Sequence, residues 1–322
     1  MGKKVLLFCD VGIDDSMALI YAYLNDAIDI VGVVADYGNV PRENALATVH
    51  YLQELFGEET AHVPIVAGAE KPMTGDPFDF VPEIHGEYGL GPIIPSPDGA
   101  DIEEENFFAI TDIIRAYQHD LTVVSIGRLT SLAALFITYP QLMQTVKSYY
   151  IMGGAFWVPG NVTAVAEANF HGDPVAAQIV LSSAENLSII PLNVTERAIA
   201  TPGMIKNVHE MGPIHIVKPL LDYYYNFYKE RNPLIQGVPL HDVLTLMAVI
   251  HTSMLFFRRL PVHVVQAREG TERGHSIADI RPFGSLEEET DTEVKQHRIA
   301  FDLDYHRFYT DFMSVMVRQQ FG

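Results

Sequence analysis

Cysteine is almost absent from this chain of 322 residues, because Cys9 is the only one. A disulfide framework is therefore excluded within the chain, and a reducing compartment is permitted. Long apolar runs are missing too, since no run approaches the roughly 20 residues needed to cross a membrane. The apolar residues 5–8 that follow the start are too few for a signal-peptide core. We therefore expect a soluble cytoplasmic protein.

Positive charge is scarce as well, with 21 Lys and Arg against 41 Asp and Glu, a formal net charge of −20. Nucleic acids and anionic membrane surfaces require basic patches, so neither is expected as a partner. The acidity mainly favours solubility. With 48% hydrophobic and 19% charged residues, the composition is that of an ordinary globular protein with a sizeable core.

Short apolar segments alternate with helical patterns along the chain. The strand-like segments are residues 5–8, 28–35, 64–66, 122–126, 148–152, 187–192, 261–266 and 298–303. The helical patterns are residues 16–22, 41–56, 129–146, 173–184 and 305–320. This alternation predicts an α/β protein with an open, mostly parallel β-sheet flanked by helices. Neither a repeat nor a linker is visible, so we expect a single domain over residues 1–322.

Three segments break the alternation. Residues 68–99 are rich in Pro and Gly, and a loop of that length is typical of a functional lid or of disorder. The acidic residues 103–105 favour the start of a helix. The acidic residues 287–289 are typical of a solvated surface turn, to which we assign no function.

Three carboxylates, Asp10, Asp14 and Asp15, lie within six residues after the first strand, with Gly12 allowing a sharp turn. In open α/β sheets, ligands bind at the carboxyl ends of the strands. Acids this close repel one another unless protons or a cation compensate, and a hard cation with oxygen ligands would do so. The alternative is a capped helix on a surface loop, where Asp residues are common.

Further candidate site residues follow the other strands or precede a later helix. They are Asn39, Gly127, Met152, Asn161, Glu167, Asn169, His241 and Asp242. Taken singly, each is weak evidence, because Asn is common in turns and an Asp before a helix is usually a cap. In a parallel sheet the strand ends share one edge, so the groups could converge on the first acidic cluster.

As a set, these segments resemble the inosine–uridine preferring nucleoside hydrolase family. The matching residues are 10–15 (DVGIDD), 38–40 (GNV), 64–69 (PIVAGA), 85–90 (HGEYGL), 127–130 (GRLT), 152–154 (MGG), 160–169 (GN to EAN), 173–174 (DP) and 241–242 (HD). They follow the family's order over about three quarters of the chain, so a chance match is excluded in practice. The resemblance implies the nucleoside hydrolase fold with a Rossmann-like core.

The resemblance also implies a metal site and a reaction. The family holds one Ca²⁺, whose ligands here would be Asp10, Asp15, Asp242 and the main-chain carbonyl of Ile126, completed by a water and two ribose hydroxyls. An all-oxygen shell of high coordination suits Ca²⁺ better than Mg²⁺. Asp10 would act as general base for the water. The expected reaction is hydrolysis of the N-glycosidic bond of purine or pyrimidine ribonucleosides.

Other roles follow from the same resemblance. His241 would protonate the leaving base, His85 would close over the site from the long loop, and Met152 would pack beneath the sugar. The residues expected to hold the ribose are Asp14, Asn39, Asn161, Glu167 and Asn169. The family also suggests a homodimer or homotetramer.

Tyr224 and Tyr228 lie one helical turn apart, and a core stripe is favoured over a role in flanking the base. Three residues depart from the family pattern. Phe8 stands where an Asp is usual, Val11 where a Pro is usual, and Ser131 where an Asn is usual. The position of Phe8 is not in the proposed metal shell, so we expect the chemistry to survive, and Val11 in place of Pro is expected to loosen the turn. The three departures leave the preferred substrate open.

Two other functions are compatible with parts of the pattern. A haloacid-dehalogenase-type phosphatase also begins with Asp after an apolar strand, but it needs a second Asp at the position of Gly12. A non-catalytic nucleoside- or ribose-binding protein could use the same pocket, although retention of both Asp10 and His241 argues against it.

Overall fold

The structure, a computed structural model, describes residues 2–95, 104–281 and 295–321. Its strands are β1 (Lys3–Cys9), β2 (Ile28–Ala35), β3 (Ile65–Ala67), β4 (Leu121–Ser125), β5 (Ser148–Met152), β6 (Leu187–Ile190), β7 (Ile199–Ala200), β8 (Val238–Pro239), β9 (Leu255–Pro261), β10 (His263–Val264), β11 (Ser276–Ile277) and β12 (Gln296–Leu303). Its helices are α1 (Ile13–Leu24), α2 (Arg42–Phe56), α3 (Pro82–His85), α4 (Ala109–Tyr117), α5 (Thr130–Thr138), α6 (Pro140–Met143), α7 (Ala168–Gly172), α8 (Pro174–Ser183), α9 (Leu192–Thr195), α10 (Pro202–Met211), α11 (Val217–Arg231), α12 (His241–Ile250) and α13 (Tyr305–Val317).

A central sheet of eight strands has the order β3-β2-β1-β4-β5-β6-β12-β9. Every neighbouring pair is parallel except β12 and β9, which are antiparallel. The predicted open, mostly parallel sheet flanked by helices is therefore confirmed. The boundaries of a single domain over residues 1–322 stay a prediction.

The central strand β1 is apolar on both of its faces. Val5, Leu7 and Cys9 point into one hydrophobic core, which contains side chains from α1, α2, α11, α12 and α13. Leu6 and Phe8 point into the other core, with side chains from α4, α5 and α8. A parallel strand buried on both faces has to be continuously apolar, and this explains the unbroken run in the sequence.

The strand order reverses between β1 and β4. From β1 the chain moves outward through β2 and β3, and then crosses back to add β4 on the other side of β1. The loops after β1 and β4 therefore diverge and leave a crevice at the carboxyl edge of the sheet, where doubly wound folds bind ligands. Asp10 follows β1 and Ile126 follows β4, so both lie at this crevice.

Several predicted boundaries were wrong. The predicted helix 129–146 is interrupted at Tyr139, before Pro140, because a residue that precedes proline avoids the helical conformation. The predicted strand 261–266 begins earlier, since β9 is Leu255–Pro261 and only the short β10 follows. Glu105 does not start a helix but forms an isolated bridge with Val66, and α4 begins at Ala109. Glu103 and the predicted turn at residues 287–289 lie outside the described residues.

The long loop is described over residues 68–95 and contains the short helix α3. It is attached to the rest of the protein at several points, including a hydrogen bond from the Met73 N–H to Asp173 (2.8 Å) and one from the Val81 N–H to the carbonyl of Asn39 (3.0 Å). None of the helices in the described parts of the chain is long and apolar enough to cross a lipid bilayer.

Candidate active site

The turn between β1 and α1 is fixed by its own acidic side chain. The Asp15 carboxylate accepts hydrogen bonds from the Gly12 N–H (2.7 Å) and the Asp10 N–H (3.2 Å). Asp15 lies in the first turn of α1 and therefore caps its own helix. Val11 between them has φ +37°, a conformation that β-branched residues rarely adopt and that a proline ring does not allow. The departure from Pro at this position is therefore matched by the local backbone.

Asn39 and two glycines hold Asp10 from the neighbouring strands. The Asn39 side-chain amide donates to Asp10 Oδ1 (3.0 Å) and to Asp15 Oδ2 (3.3 Å). A Cβ atom at Gly38 would lie 1.8 Å from Asp10 Oδ2, and one at Gly127 would lie 2.8 Å from the Asp10 nitrogen. Only glycine allows the loops after β2 and β4 to approach Asp10 this closely.

Arg128, the residue after Gly127, brings a cation close to the acidic turn. Its guanidinium lies over the rings of Tyr37 and Phe78, with 4.9 and 5.4 Å to the centroids. Burial raises the pKa of Asp10 to about 7, although the charge and the backbone N–H of Arg128 act to lower it. No local pattern in the sequence indicates this contact.

Three carboxylates converge at the base of the crevice. Asp14, Asp15 and Asp242 each place an oxygen within 4.8 Å of the others, and all three are buried. Burial raises the pKa of Asp14 to about 6, and burial and mutual repulsion raise the pKa values of Asp15 and Asp242 well above the usual range. Among the described residues, Asp10 is not a member of this close set. Buried carboxylates arranged this way suit a hard cation.

Glu167 and Asn169 build one wall of the crevice. The Glu167 carboxylate caps α7 by accepting from the N–H groups of Asn169 (2.7 Å) and Phe170 (3.1 Å), and it also accepts from Gly154 N–H (2.9 Å). The Asn169 amide nitrogen donates to the carbonyls of Ile126 (2.9 Å) and Met152 (3.2 Å). These bonds leave the Asn169 Oδ1 atom available to a ligand.

His85 and two tyrosines form the opposite wall. His85 Nδ1 accepts from the Ile13 N–H (3.0 Å), which requires a neutral ring with its proton on Nε2, and burial lowers the pKa of His85 to about 3. The ring lies 5.5 Å from that of Tyr224, which is 5.0 Å from Tyr228. Both tyrosines line the cavity, Tyr224 belongs to the hydrophobic core and Tyr228 packs against it, so the favoured core stripe is present, while a role in flanking the base stays a prediction.

His241 begins α12, directly before Asp242. Its Nδ1 lies 2.8 Å from the hydroxyl oxygen of Thr195, a fully buried residue at the end of α9. Burial lowers the pKa of His241 to about 4. Thr195 was not predicted, because nothing in the sequence around it distinguishes it from any other helical threonine.

These side chains enclose a cavity of about 120 Å³. The predicted residues that line it are Asp14, Asp15, Asn39, His85, Ile126, Met152, Asn161, Glu167, Asn169, His241 and Asp242. Asp10 is not part of the lining, and its Oδ1 accepts a hydrogen bond from the lining residue Asn39. Asn161 is exposed and accepts from the Ala168 N–H (3.0 Å). Apolar lining residues such as Val81, Ile84 and Val162 were missed, since apolar side chains carry no chemical signal in a sequence.

The chain is similar to known proteins over nearly its whole length. The profile of the family described as inosine-uridine preferring nucleoside hydrolase matches residues 5–310. The inosine-uridine preferring nucleoside hydrolase of Crithidia fasciculata is 29% identical over 314 residues, which cover 96% of each chain. The pyrimidine-specific ribonucleoside hydrolase of Klebsiella pneumoniae is 32% identical over 249 residues, 76% of this chain and 79% of that one.

A solved structure gives the same result. The purine-preferring ribonucleoside hydrolase from Gardnerella vaginalis superposes with a TM-score of 0.86 at 28% identity, covering 98% of both chains. The names of these three relatives specify different bases, so base preference varies among proteins that resemble this chain. The family profile and the full-length coverage establish that the chain belongs to the inosine-uridine preferring nucleoside hydrolase family.

Proposed function

We propose that this protein hydrolyses the N-glycosidic bond of purine or pyrimidine ribonucleosides, giving ribose and the free base. The observation that carries the proposal is the convergence of three buried carboxylates, within 4.8 Å of one another, in a cavity that His241 also lines. Anionic groups stabilise a sugar ring that gains positive charge, and an imidazole can give a proton to a leaving group. Both parts of an N-ribosyl hydrolase are thus present in one cavity.

We further propose that the cation is Ca²⁺, held by Asp10, Asp15, Asp242 and the main-chain carbonyl of Ile126. The chemistry of the donors supports this choice, because all are oxygens and the carboxylates are buried with raised pKa values. When bound, Ca²⁺ would hold and acidify a water and bind the two ribose cis-hydroxyls. Asp14, which lies in the close carboxylate cluster with Asp15 and Asp242, is assigned to the ribose.

Asp10 is proposed to take a proton from the attacking water. Its Oδ1 is held by Asn39, which leaves the carboxylate oriented when the proton arrives. Asn39, Asn161, Glu167 and Asn169 are proposed to bind the sugar hydroxyls. Glu167 already accepts three backbone hydrogen bonds, and a carboxylate has about four lone-pair sites, so one position is left for a hydroxyl donor.

The base side of the reaction is assigned to the histidines and to Met152. The base leaves with the electron pair of the broken bond, and His241 is proposed to supply a proton to it. His85 covers the site from the loop, and Met152, at the end of β5, packs beneath the ribose. The negative cavity then favours the oxocarbenium-like transition state over the neutral nucleoside.

Release of free base from inosine, uridine and cytidine tests the proposal. We expect release with Ca²⁺, loss of release after chelation, and recovery when Ca²⁺ is returned. Tight binding of ribonucleosides without any release of base would contradict the proposal and favour the non-catalytic binding protein. Recovery with Mg²⁺ but not with Ca²⁺ would overturn the assignment of the ion alone.

The partners are proposed to be small ribonucleosides, with no nucleic acid and no membrane involved. We also propose that the protein works in the cytoplasm, which the single, buried and unpaired Cys9 permits. Assembly into a homodimer or homotetramer is proposed from the family resemblance. Light scattering coupled to size exclusion measures the assembly, and a monomer at micromolar concentration would contradict it.

A further inference from the structure

The buried hydroxyl of Thr195 contacts the ring of His241, the proposed proton donor. Its oxygen lies 2.8 Å from His241 Nδ1, and Thr195 is fully buried on α9, 46 residues away in the chain. Within the part of the chain that the structure describes, this hydroxyl has no other hydrogen-bond partner. The other ring nitrogen, Nε2, has no protein partner in those residues and belongs to a side chain that lines the cavity.

The accounting of hydrogen bonds fixes the direction of this contact. A hydroxyl has one proton, and a buried donor left without an acceptor is costly. If Nδ1 donated to Thr195, the threonine proton would have no acceptor among the described residues. If Thr195 donates to Nδ1, every proton of the pair is used, and the neutral ring must carry its own proton on Nε2.

We infer that Thr195 is a positioning residue that holds the His241 ring so that Nε2 presents its proton to the leaving base. This inference rests on the proposed function. The ring acts as an acid when both of its nitrogens carry protons. When the glycosidic bond breaks, its electron pair stays with the base, the Nε2 proton passes to a ring nitrogen of the base, and the ring, whose Nδ1–H donates to Thr195, becomes neutral. The attacking water adds its hydroxyl to the sugar carbon and gives its other proton to Asp10, and proton exchange with solvent then returns Asp10 and His241 to their starting states.

The same hydroxyl suits both protonation states of the ring. It donates to Nδ1 when the imidazole is neutral, and it turns to accept from Nδ1 when both nitrogens carry protons. A methyl group can do neither. Replacement of Thr195 by Val therefore keeps the shape of the side chain and removes only the control over the ring.

Two substrates separate this role from a structural one. Inosine needs protonation of its base, whereas p-nitrophenyl riboside has a leaving group that departs without a proton. We expect Thr195→Val to lower kcat/KM for inosine by about ten- to a hundredfold, the usual scale for partners that orient a functional histidine. The rate on p-nitrophenyl riboside should change little, and it also reports that the variant is folded. Thr195→Ser should restore most of the inosine rate.

Thr245, which lies on α12 with His241, provides a matched control. It is also fully buried, but its hydroxyl donates to the main-chain carbonyl of His241 (3.2 Å) and not to the ring. Thr245→Val should not change the ratio of the two rates. In the His241→Ala background, Thr195→Val should cause no additional loss on inosine, because a residue that acts through the ring has nothing left to act on.

The outcomes distinguish the inference from the function on which it rests. Equal losses on both substrates in Thr195→Val, or the same selective loss in Thr245→Val, would overturn the positioning role while the hydrolase remains active. If the unmodified protein releases base or p-nitrophenol from neither substrate, the proposed function fails, and the role of Thr195 fails with it.

Discussion

At the scale of single residues, burial and charge determine the properties of the cavity. The carboxylates in or beside it are Asp10, Asp14, Asp15, Glu167 and Asp242, and burial raises the pKa of each. Glu167 is compensated by three backbone donors. Asp14, Asp15 and Asp242 lie within 4.8 Å of one another with raised pKa values, and a group of buried carboxylates of this kind suits a hard cation.

We expect Asp242→Ala to abolish tight Ca²⁺ binding and to reduce turnover strongly. Asp242 comes from α12, so its loss separates the two chain segments that the ion would join. Asp36→Asn is the matched control, since Asp36 is equally buried and has a pKa raised to about 7 by burial, but it accepts from Ser131 and from the Ala69 N–H, outside the cluster. Calorimetric titration with Ca²⁺ decides: unchanged affinity in Asp242→Ala would refute the ligand set.

The ribose hydroxyls provide a second test at this scale. Removal of the 2′-hydroxyl strands its partners, proposed to be Asp14 and Asn169, at about 1–3 kcal/mol for each unpaired group. We therefore expect kcat/KM for uridine to exceed that for 2′-deoxyuridine by about a hundredfold or more. Similar efficiencies for the two nucleosides would mean that the sugar is not recognised in this way.

At the scale of elements, the loop of residues 68–95 is fastened at a buried ion pair. Arg273 Nη1 lies 3.0 Å from Asp76 Oδ2, and both side chains are about 6–7% exposed. The same guanidinium donates to the carbonyls of His171 (2.9 Å) and Gly172 (3.3 Å), at the end of α7. Arg273 thereby joins the loop that carries His85 to the helix that carries Asn169.

Breaking this ion pair should destabilise the protein and disturb both cavity walls. Arg273→Met removes the buried charged partner of Asp76 and, among the described residues, leaves only Thr74 and the exposed Arg268 beside it, and breaking a buried ion pair typically costs about 3–5 kcal/mol. Arg268→Gln is the control, because Arg268 also contacts Asp76 (3.5 Å) but is 85% exposed, and such pairs contribute about 0–1 kcal/mol. Urea denaturation measures the free energy of unfolding of each variant. Equal effects of the two substitutions would show that burial does not govern this contact.

At the scale of the whole molecule, protons and the cation compete for the same carboxylates. Between about pH 4 and the raised pKa values, the folded metal-free protein binds protons that the unfolded chain, with carboxyl pKa values near 4, has released. These groups therefore make the metal-free protein less stable as pH rises through about 6 and 7. A bound cation needs the deprotonated carboxylates, so its stabilising effect should increase over the same range.

We expect the increase in Tm caused by saturating Ca²⁺ to be small near about pH 5.5 and larger near about pH 7.5, since affinity rises as the carboxylates lose their protons. Comparison of the shift with and without Ca²⁺ at each pH removes the titration of groups elsewhere in the chain. Asp242→Ala should show almost no shift at either pH. A shift in the unmodified protein that does not depend on pH would contradict the proposed competition.

The overall charge of −20 should also select against negatively charged substrates. A nucleoside 5′-phosphate brings a dianion towards Glu167 and the other cavity carboxylates, and like charges in a buried site repel strongly. We expect uridine 5′-phosphate to be a far poorer substrate than uridine at low ionic strength. Assay of base release from both compounds checks this, and faster release from the phosphate would refute it.

The sequence by itself determined the sheet and indicated most of the predicted residues that line the cavity. Parallel strands buried on both faces must be apolar throughout, so a run such as residues 5–8 was visible without a structure. Functional side chains at the carboxyl ends of parallel strands lie at one edge of the sheet, and eleven of the predicted residues line one cavity. The edge strand β9 was placed too late, because its half-exposed pattern with Arg258 and Arg259 lacks a continuous apolar run.

Only the tertiary structure decided which groups meet. The Thr195 contact with His241 spans 46 residues and that of Asp76 with Arg273 spans 197, and no local pattern encodes such distances. The folded chain also places Asp14, and not Asp10, in the close carboxylate cluster, and the Asn39 amide links Asp10 to Asp15 beside it. The sequence shows which chemical groups are present. The distances between these groups are set only when burial of the two apolar cores fixes the packing of the helices on the sheet.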